Sequence, residues 1–224
     1  DLRLIWKQPV QLQLHPDSRA AIDASGSATL TFTNVLTLAT TGTGTRTLTL
    51  TGSGNGSLAS IIPNQSTNAT ALTKSGAGTW TLSGASSSYT GVTTISAGTL
   101  SVSYLAAGGS NSNIGASSNA ASNLVINGGT LRYTGSTNAA DANGNARGFT
   151  VGASGAVFEV TTSGATWTLF RDASSGYQAA FNGDVTLTGA GNGVMANYIT
   201  GSGALLKTGA GTWTLSGVNT YGGG

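Results

Sequence analysis

The stretch KSGAGTWTLSG at 74–84 returns as KTGAGTWTLSG at 207–217, with Thr208 in place of Ser75. In the first copy Trp80 and Leu82 alternate with Thr79, Thr81 and Ser83, the period of two expected of a strand with one buried face. The Gly-Ala-Gly ahead of it supplies a tight turn. The same alternation recurs outward along the chain, at Leu30 and Phe32, Leu48 and Leu50, Leu100 and Val102, 124–126, 157–160, Trp167 and Leu169, and Val185 and Leu187. Gly-centred turns separate these runs, and no 3.6-period stripe or capping box introduces a helix. The reading is all-β, with threonine on the open face.

Composition narrows the function classes. Of 224 residues, 35 are Gly, while Asp, Glu, Lys and Arg together make up 7%. The usual share of charged residues is about 25%, so the surface must be hydroxyl-rich. A net charge of +2 without clustered Lys and Arg argues against nucleic acid as a partner. Cysteine is absent, which removes disulfides, thiolate metal sites and thiol catalysis. No run of about 18 apolar residues is present to span a membrane as a helix. The chain opens on Asp1 and stops partway through the second copy of the motif, which reads as a piece of a longer protein.

Short strands between Gly turns suit a sandwich, a propeller or a solenoid, and internal repetition favours the solenoid. ISAGTLSVS at 95–103 resembles INGGTLRYT at 126–134 and, more loosely, VGASGAVFEV at 151–160. The chain therefore alternates a half-unit ending in GTWTLSG with one built on I-x-x-G-T-L. At roughly 20–25 residues per coil, residues 24–224 give about eight to ten coils. Residues 1–23 differ, holding six of the sixteen charged residues, the only His and an alternating Val10, Leu12, Leu14. They are expected to form an N-terminal cap or junction, and 24–224 the repeat region.

Residues 72–102, LTKSGAGTWTLSGASSSYTGVTTISAGTLSV, resemble the autotransporter-associated β-strand repeat, or passenger-associated transport repeat, whose pattern is L-x-K-x-G-x-G-T-L-x-L-S-G-x-N-x-Y-x-G-x-T-x-I-x-x-G-T-L-x-V. Leu72, Lys74, Gly76, Gly78, Leu82, Gly84, Tyr89, Gly91, Ile95, Gly98 and Leu100 fall on fixed positions. Trp80 stands where Leu is usual, and Ser86-Ser87-Ser88 replaces the usual Asn. The resemblance implies a right-handed parallel β-helix in the passenger of a type V secreted bacterial surface protein, a repeat tied to passenger folding and transport, and no catalytic residues within it. On the residues themselves, Trp80 and Leu82 should point inward, Tyr89 and Ile95 should continue the interior, and Thr79 and Thr81 should face water.

Little in the sequence suggests chemistry, and no catalytic, metal or cofactor residues are assigned. His15 stands alone, as an exposed strand residue would. Asp141-Ala142-Asn143-Gly144-Asn145 is similar to the start of a Ca²⁺ loop, but Ala146 replaces the turn Gly and Gly152 stands where the bidentate Glu belongs. Asp141, Arg147, Glu159, Arg171, Asp172 and Asp184 lie within 44 residues, as carboxylates do in β-helix polysaccharide-cleaving enzymes, yet they share no repeat register. Asn64-Gln65-Ser66 and Asn68-Ala69-Thr70 are glycosylation sequons only in a eukaryotic source. Thr-x-Thr arrays leave open an ice-binding or polymer-binding face. The expected function is structural and adhesive rather than enzymatic: a surface-anchored stalk meeting cell-surface or matrix polymers, polysaccharide among them, or associating with itself laterally or end to end into a filament.

Overall fold

The computed structural model describes residues 11–12, 19–33, 37–38, 44–65, 67–136, 147–169, 178–196 and 198–223. Every strand pair in these segments is parallel, and the strands fall into stacks one coil apart. One eight-stranded sheet runs from Arg19–Asp23 to Tyr198–Gly201, and a second from Leu30–Phe32 to Leu205–Lys207. Each coil contributes a strand to the first sheet, turns a corner, and contributes the next strand to the second. Eight such coils fall within the expected eight to ten, and the architecture is the expected parallel β-helix.

Successive coils advance by as few as 20 residues, from Ala179 to Ile199, and by as many as 31, from Thr93 to Leu124. The surplus is taken up on the third side. There, late coils form a three-stranded sheet of Thr166–Leu169, Asn192–Met195 and Trp213–Leu215, whereas middle coils carry irregular segments and a 3-10 turn at Ala121–Asn123. Gln11–Leu12 pairs with Thr37–Leu38 in a separate two-stranded ladder. Most of the expected cap, 1–23, lies outside the described residues; its last strand, Arg19–Asp23, opens the first sheet by pairing with Arg46–Thr51.

The interior is a set of vertical columns, because in-register parallel strands place like positions above one another. In the second sheet Trp80, Leu100, Leu131, Phe158 and Leu187 form one column and Leu58, Leu82, Val102, Tyr133 and Val160 another, all buried. Tyr89 and Ile95 are fully buried, and Thr79 and Thr81 are half-buried on the outer face, as expected. Tyr133 stacks on Trp167 with ring centroids 5.5 Å apart, and Phe149 meets Phe158 at 5.0 Å.

The Trp80 and Trp213 indoles have room only because a glycine sits in register beside each. A Cβ on Gly56 would lie 2.4 Å from the Trp80 ring, and one on Gly193 would lie 2.3 Å from Trp213. The Trp80 indole N–H also donates to the Thr51 carbonyl at 2.9 Å. A tryptophan in one coil thus dictates the smallest residue in the coil before it.

The two copies of the opening motif occupy different corners. Thr70–Lys74 lies in the first sheet and Thr79–Leu82 in the second, but Leu205–Lys207 lies in the second and Trp213–Leu215 in the third. The local geometry is nevertheless the same. Gly76 and Gly209 have φ of 72° and 69°, the left-handed region that favours glycine. The Lys74 ammonium donates to the carbonyls of Ser75 and Gly76, both at 2.8 Å, and the Lys207 ammonium to those of Thr208 and Gly209, at 2.6 and 2.9 Å. The motif encodes a strand, a lysine-tied corner and a strand, and that unit fits at either corner of the coil.

Lys74 is inward-facing, between Leu50 and Ile95 in the first-sheet column, and its ammonium also donates to the Ala97 carbonyl of the next coil at 3.0 Å. Burial lowers its pKa to about 8, below the ordinary lysine value. Between that value and the unfolded one, the unfolded chain binds more protons, so stability rises with pH. Unfolding from pH 7.5 to 9.0, before most unfolded-chain tyrosines ionise, should show a positive slope that Lys74→Met removes. An identical slope in the variant would refute this.

Candidate adhesive surface

The outer faces of the two long sheets are the largest regular surfaces among the described residues. On the first sheet Thr49, Thr73 and Thr94 stand on consecutive coils, and on the second Thr79, Thr99 and Thr130 do so. Parallel pairing spaces them at about 4.8 Å along the solenoid. Beyond Thr94 the first column passes to Val125, Thr150 and Ala180, and the second passes from Thr130 to Val157 and Thr186. Neither column repeats threonine without interruption, so these faces offer hydroxyls and methyls rather than a uniform lattice.

Of the charged residues that the sequence grouped within 44 positions, the described ones, Arg147, Glu159 and Asp184, each take different partners. Asp141, Arg171 and Asp172 lie outside the described residues, as do His15 and the calcium-like loop 141–145. Glu159 pairs on the outer face with Arg132, Oε2 to Nε at 2.7 Å, a partner that sequence reading did not include. The Asp184 carboxylate accepts the Ala204 amide at 2.9 Å, tying one coil to the next.

Arg147 is 4% exposed. Its guanidinium donates to the carbonyls of Ala106 at 2.7 Å, Ser110 at 3.1 Å and Gly115 at 2.6 Å, and to the Ser117 hydroxyl at 3.2 Å. Burial lowers its pKa, opposed by the nearby Tyr89. Tyr89, fully buried and hydrogen-bonded to Thr93 at 2.7 Å, has its phenol pKa raised by burial. This cluster is a loop anchor: the guanidinium meets carbonyl dipoles, and no carboxylate appears among these acceptors. No group of three or more His, Cys, Asp or Glu that could hold a metal occurs among the described residues.

Asparagines carry coil-to-coil contacts that sequence reading assigned no role. Asn64 Oδ1 accepts the amides of Thr70 and Thr90 at 3.0 and 2.9 Å, and Asn192 Oδ1 accepts that of Thr212 at 2.8 Å. For Asn192 the signal was its place between Gly191 and Gly193, where a short amide can reach backbone of the next coil. The corner between the long sheets also holds two open hollows, of about 430 Å³ beside Gly155 and Asp184 and about 400 Å³ beside Gly26 and Gly54. Both are lined mainly by small residues, glycine and serine among them.

Comparison with known proteins agrees with this geometry. The passenger-associated-transport-repeat matches residues 72–102 and 205–224, the two places where the lysine-tied corner occurs. Over 148 residues, 62% of this chain, the sequence is 47% identical to a protein described as "Adhesin BmaC autotransporter" from Brucella suis biovar 1 (strain 1330). The chain spans only 4% of that relative's length. No solved structure matches. Stacked parallel coils bearing this repeat place the chain outside the cell, at the bacterial surface and associated with the outer membrane. The chain carries the passenger-associated-transport-repeat at 72–102 and 205–224 and, over 62% of its length, resembles an autotransporter adhesin.

Proposed function

We propose that this segment is an adhesive, non-catalytic stalk, whose flat hydroxyl-rich faces meet cell-surface or matrix polymers, polysaccharide included. The observation that carries the reading is the pair of eight-stranded outer faces built from Thr and Ser with few charges. Hydroxyls in register can exchange hydrogen bonds with a polymer along its length, each contact weak and the sum useful. The similarity to a protein called an adhesin supports the same direction. Stacking of glycine-rich corners on successive coils supports a role in folding and transport, since each completed coil is the template for the next. Low charge density supports association between copies, because little repulsion opposes it.

The purified chain should be retained on intact epithelial cells and lose at least half of that retention when surface polysaccharide is enzymatically stripped. It should release no reducing ends from pectin or alginate. Equal retention on stripped and intact cells would remove polysaccharide from the reading, and no retention on either would remove adhesion.

A further inference from the structure

We propose that the outer face of the second sheet docks a second copy of this chain, antiparallel and face to face, through a two-fold axis lying between Arg132 and Glu159. The proposal rests on the self-association named above and gives it a face, an orientation and a register. Two adjacent columns define the face: Thr81, Ser101, Arg132, Glu159 and Thr188, of which Ser101 is itself buried, and beside them Thr79, Thr99, Thr130, Val157 and Thr186. Arg132 and Glu159 are the charges in these columns, on neighbouring coils, with opposite sign and partly exposed side chains.

That arrangement is self-complementary in one orientation. A two-fold along the strand direction reverses the coil order of the partner and sets Arg132 against Glu159 of the partner subunit, and Glu159 against the partner's Arg132. The four charges then alternate in sign at the centre of a neutral face. A two-fold along the solenoid axis would instead bring Arg132 level with Arg132 of the partner subunit, and Glu159 with the partner's Glu159, which like-charge repulsion disfavours. In the antiparallel register Thr99 meets Thr186 of the partner subunit, and the short hydroxyl side chains around the charges let the two sheets approach.

The area suits a weak, transient pair. With the axis between Arg132 and Glu159 six strands of each sheet overlap, and at about 4.8 Å with about 15 Å of strand each they give roughly 430 Å² of face. Two such faces bury roughly 860 Å², the size of a weak, transient association. The polar character and modest area make the association salt-sensitive and dependent on concentration.

Sedimentation of the chain across protein concentration tests this. The wild type should show a reversible dimer that weakens at high salt. Arg132→Glu and Glu159→Arg should each weaken self-association at least ten-fold, because each gives a face with charges of one sign. An equimolar mixture of the two variants should form a one-to-one heterodimer, since an all-negative face then meets an all-positive one. The chain has no cysteine, so Thr99→Cys mixed with Thr186→Cys should form a disulfide-linked dimer more readily than either variant alone. A strictly monomeric wild type, single reversals that dimerise like the wild type, or a mixture that stays monomeric would each overturn the proposal. Retention on cells by monomeric Arg132→Glu separates this test from that of adhesion, which does not need the dimer.

Discussion

Gly78→Ala is expected to cost about 4 kcal/mol or more, in the range reserved for severe backbone conflicts. Its new Cβ would stand 1.8 Å from the Gly54 carbonyl oxygen of the preceding coil. Backbone lines both sides of that contact, since the Gly78 amide donates to the Gly52 carbonyl and its own carbonyl accepts the Thr99 amide. No side-chain rotation relieves it, and coils stacked on both sides prevent Gly78 from moving. The same substitution in the second copy, Gly211→Ala, meets the Gly191 carbonyl oxygen at 1.7 Å. In a purified segment that ends at Gly224, however, Gly211 belongs to the terminal coil, which can lift at the cost of one interface, about 1–2 kcal/mol in a solenoid stabilised by nearest neighbours. Denaturant unfolding with hydrogen exchange should show Gly78→Ala losing protection across 56–58 and 79–82, and Gly211→Ala only in Trp213–Leu215. Equal losses at both sites would mean that coil position has no influence.

Arg147→Met should release the segment 103–118 and lower stability by about 3–5 kcal/mol, the cost typical of removing one partner from a buried charged network. Methionine fills part of the volume but donates nothing to the carbonyls of Ala106, Ser110 and Gly115. Those oxygens must then reach water or stay unpaired, and the segment opens to provide water. Arg147→Lys should rescue little, because a single ammonium cannot replace a planar fork that reaches acceptors from Ala106 to Ser117. Limited proteolysis provides the measurement, with cleavage expected within 103–118 while the strands on either side stay intact. A protected segment in Arg147→Met would show that packing around Ile114 holds it without the guanidinium.

Much of the fold was legible because burial in a stacked sheet imposes a period of two, and the Thr-Leu-Thr-Leu and Thr-Trp-Thr-Leu runs display it openly. Strands without that contrast were not. Asn192–Met195 hides its inward position at Gly193, where Trp213 supplies the bulk, and Gln178–Phe181 places Ala179 in the core. Small residues there carry no hydrophobic signal because their partners in neighbouring coils fill the space. Lys74 was visible as a repeat position, but an inward lysine tied to three carbonyls runs against the usual placement of charge.

On its own, the sequence of this chain determined the strand period, the glycine corners and the hydroxyl character of the outer faces. These depend on local chemistry, and local chemistry is written residue by residue. Tertiary structure alone decided which corner each copy of KxGAGTWTLSG would occupy, that Arg147 would reach back about 40 residues to Ala106, and that Arg132 would lie beside Glu159. Coil lengths of 20 to 31 residues shift the register between sequence and solenoid at every turn, so the stacking partners of each residue are set by the accumulated path of the chain rather than by any one motif.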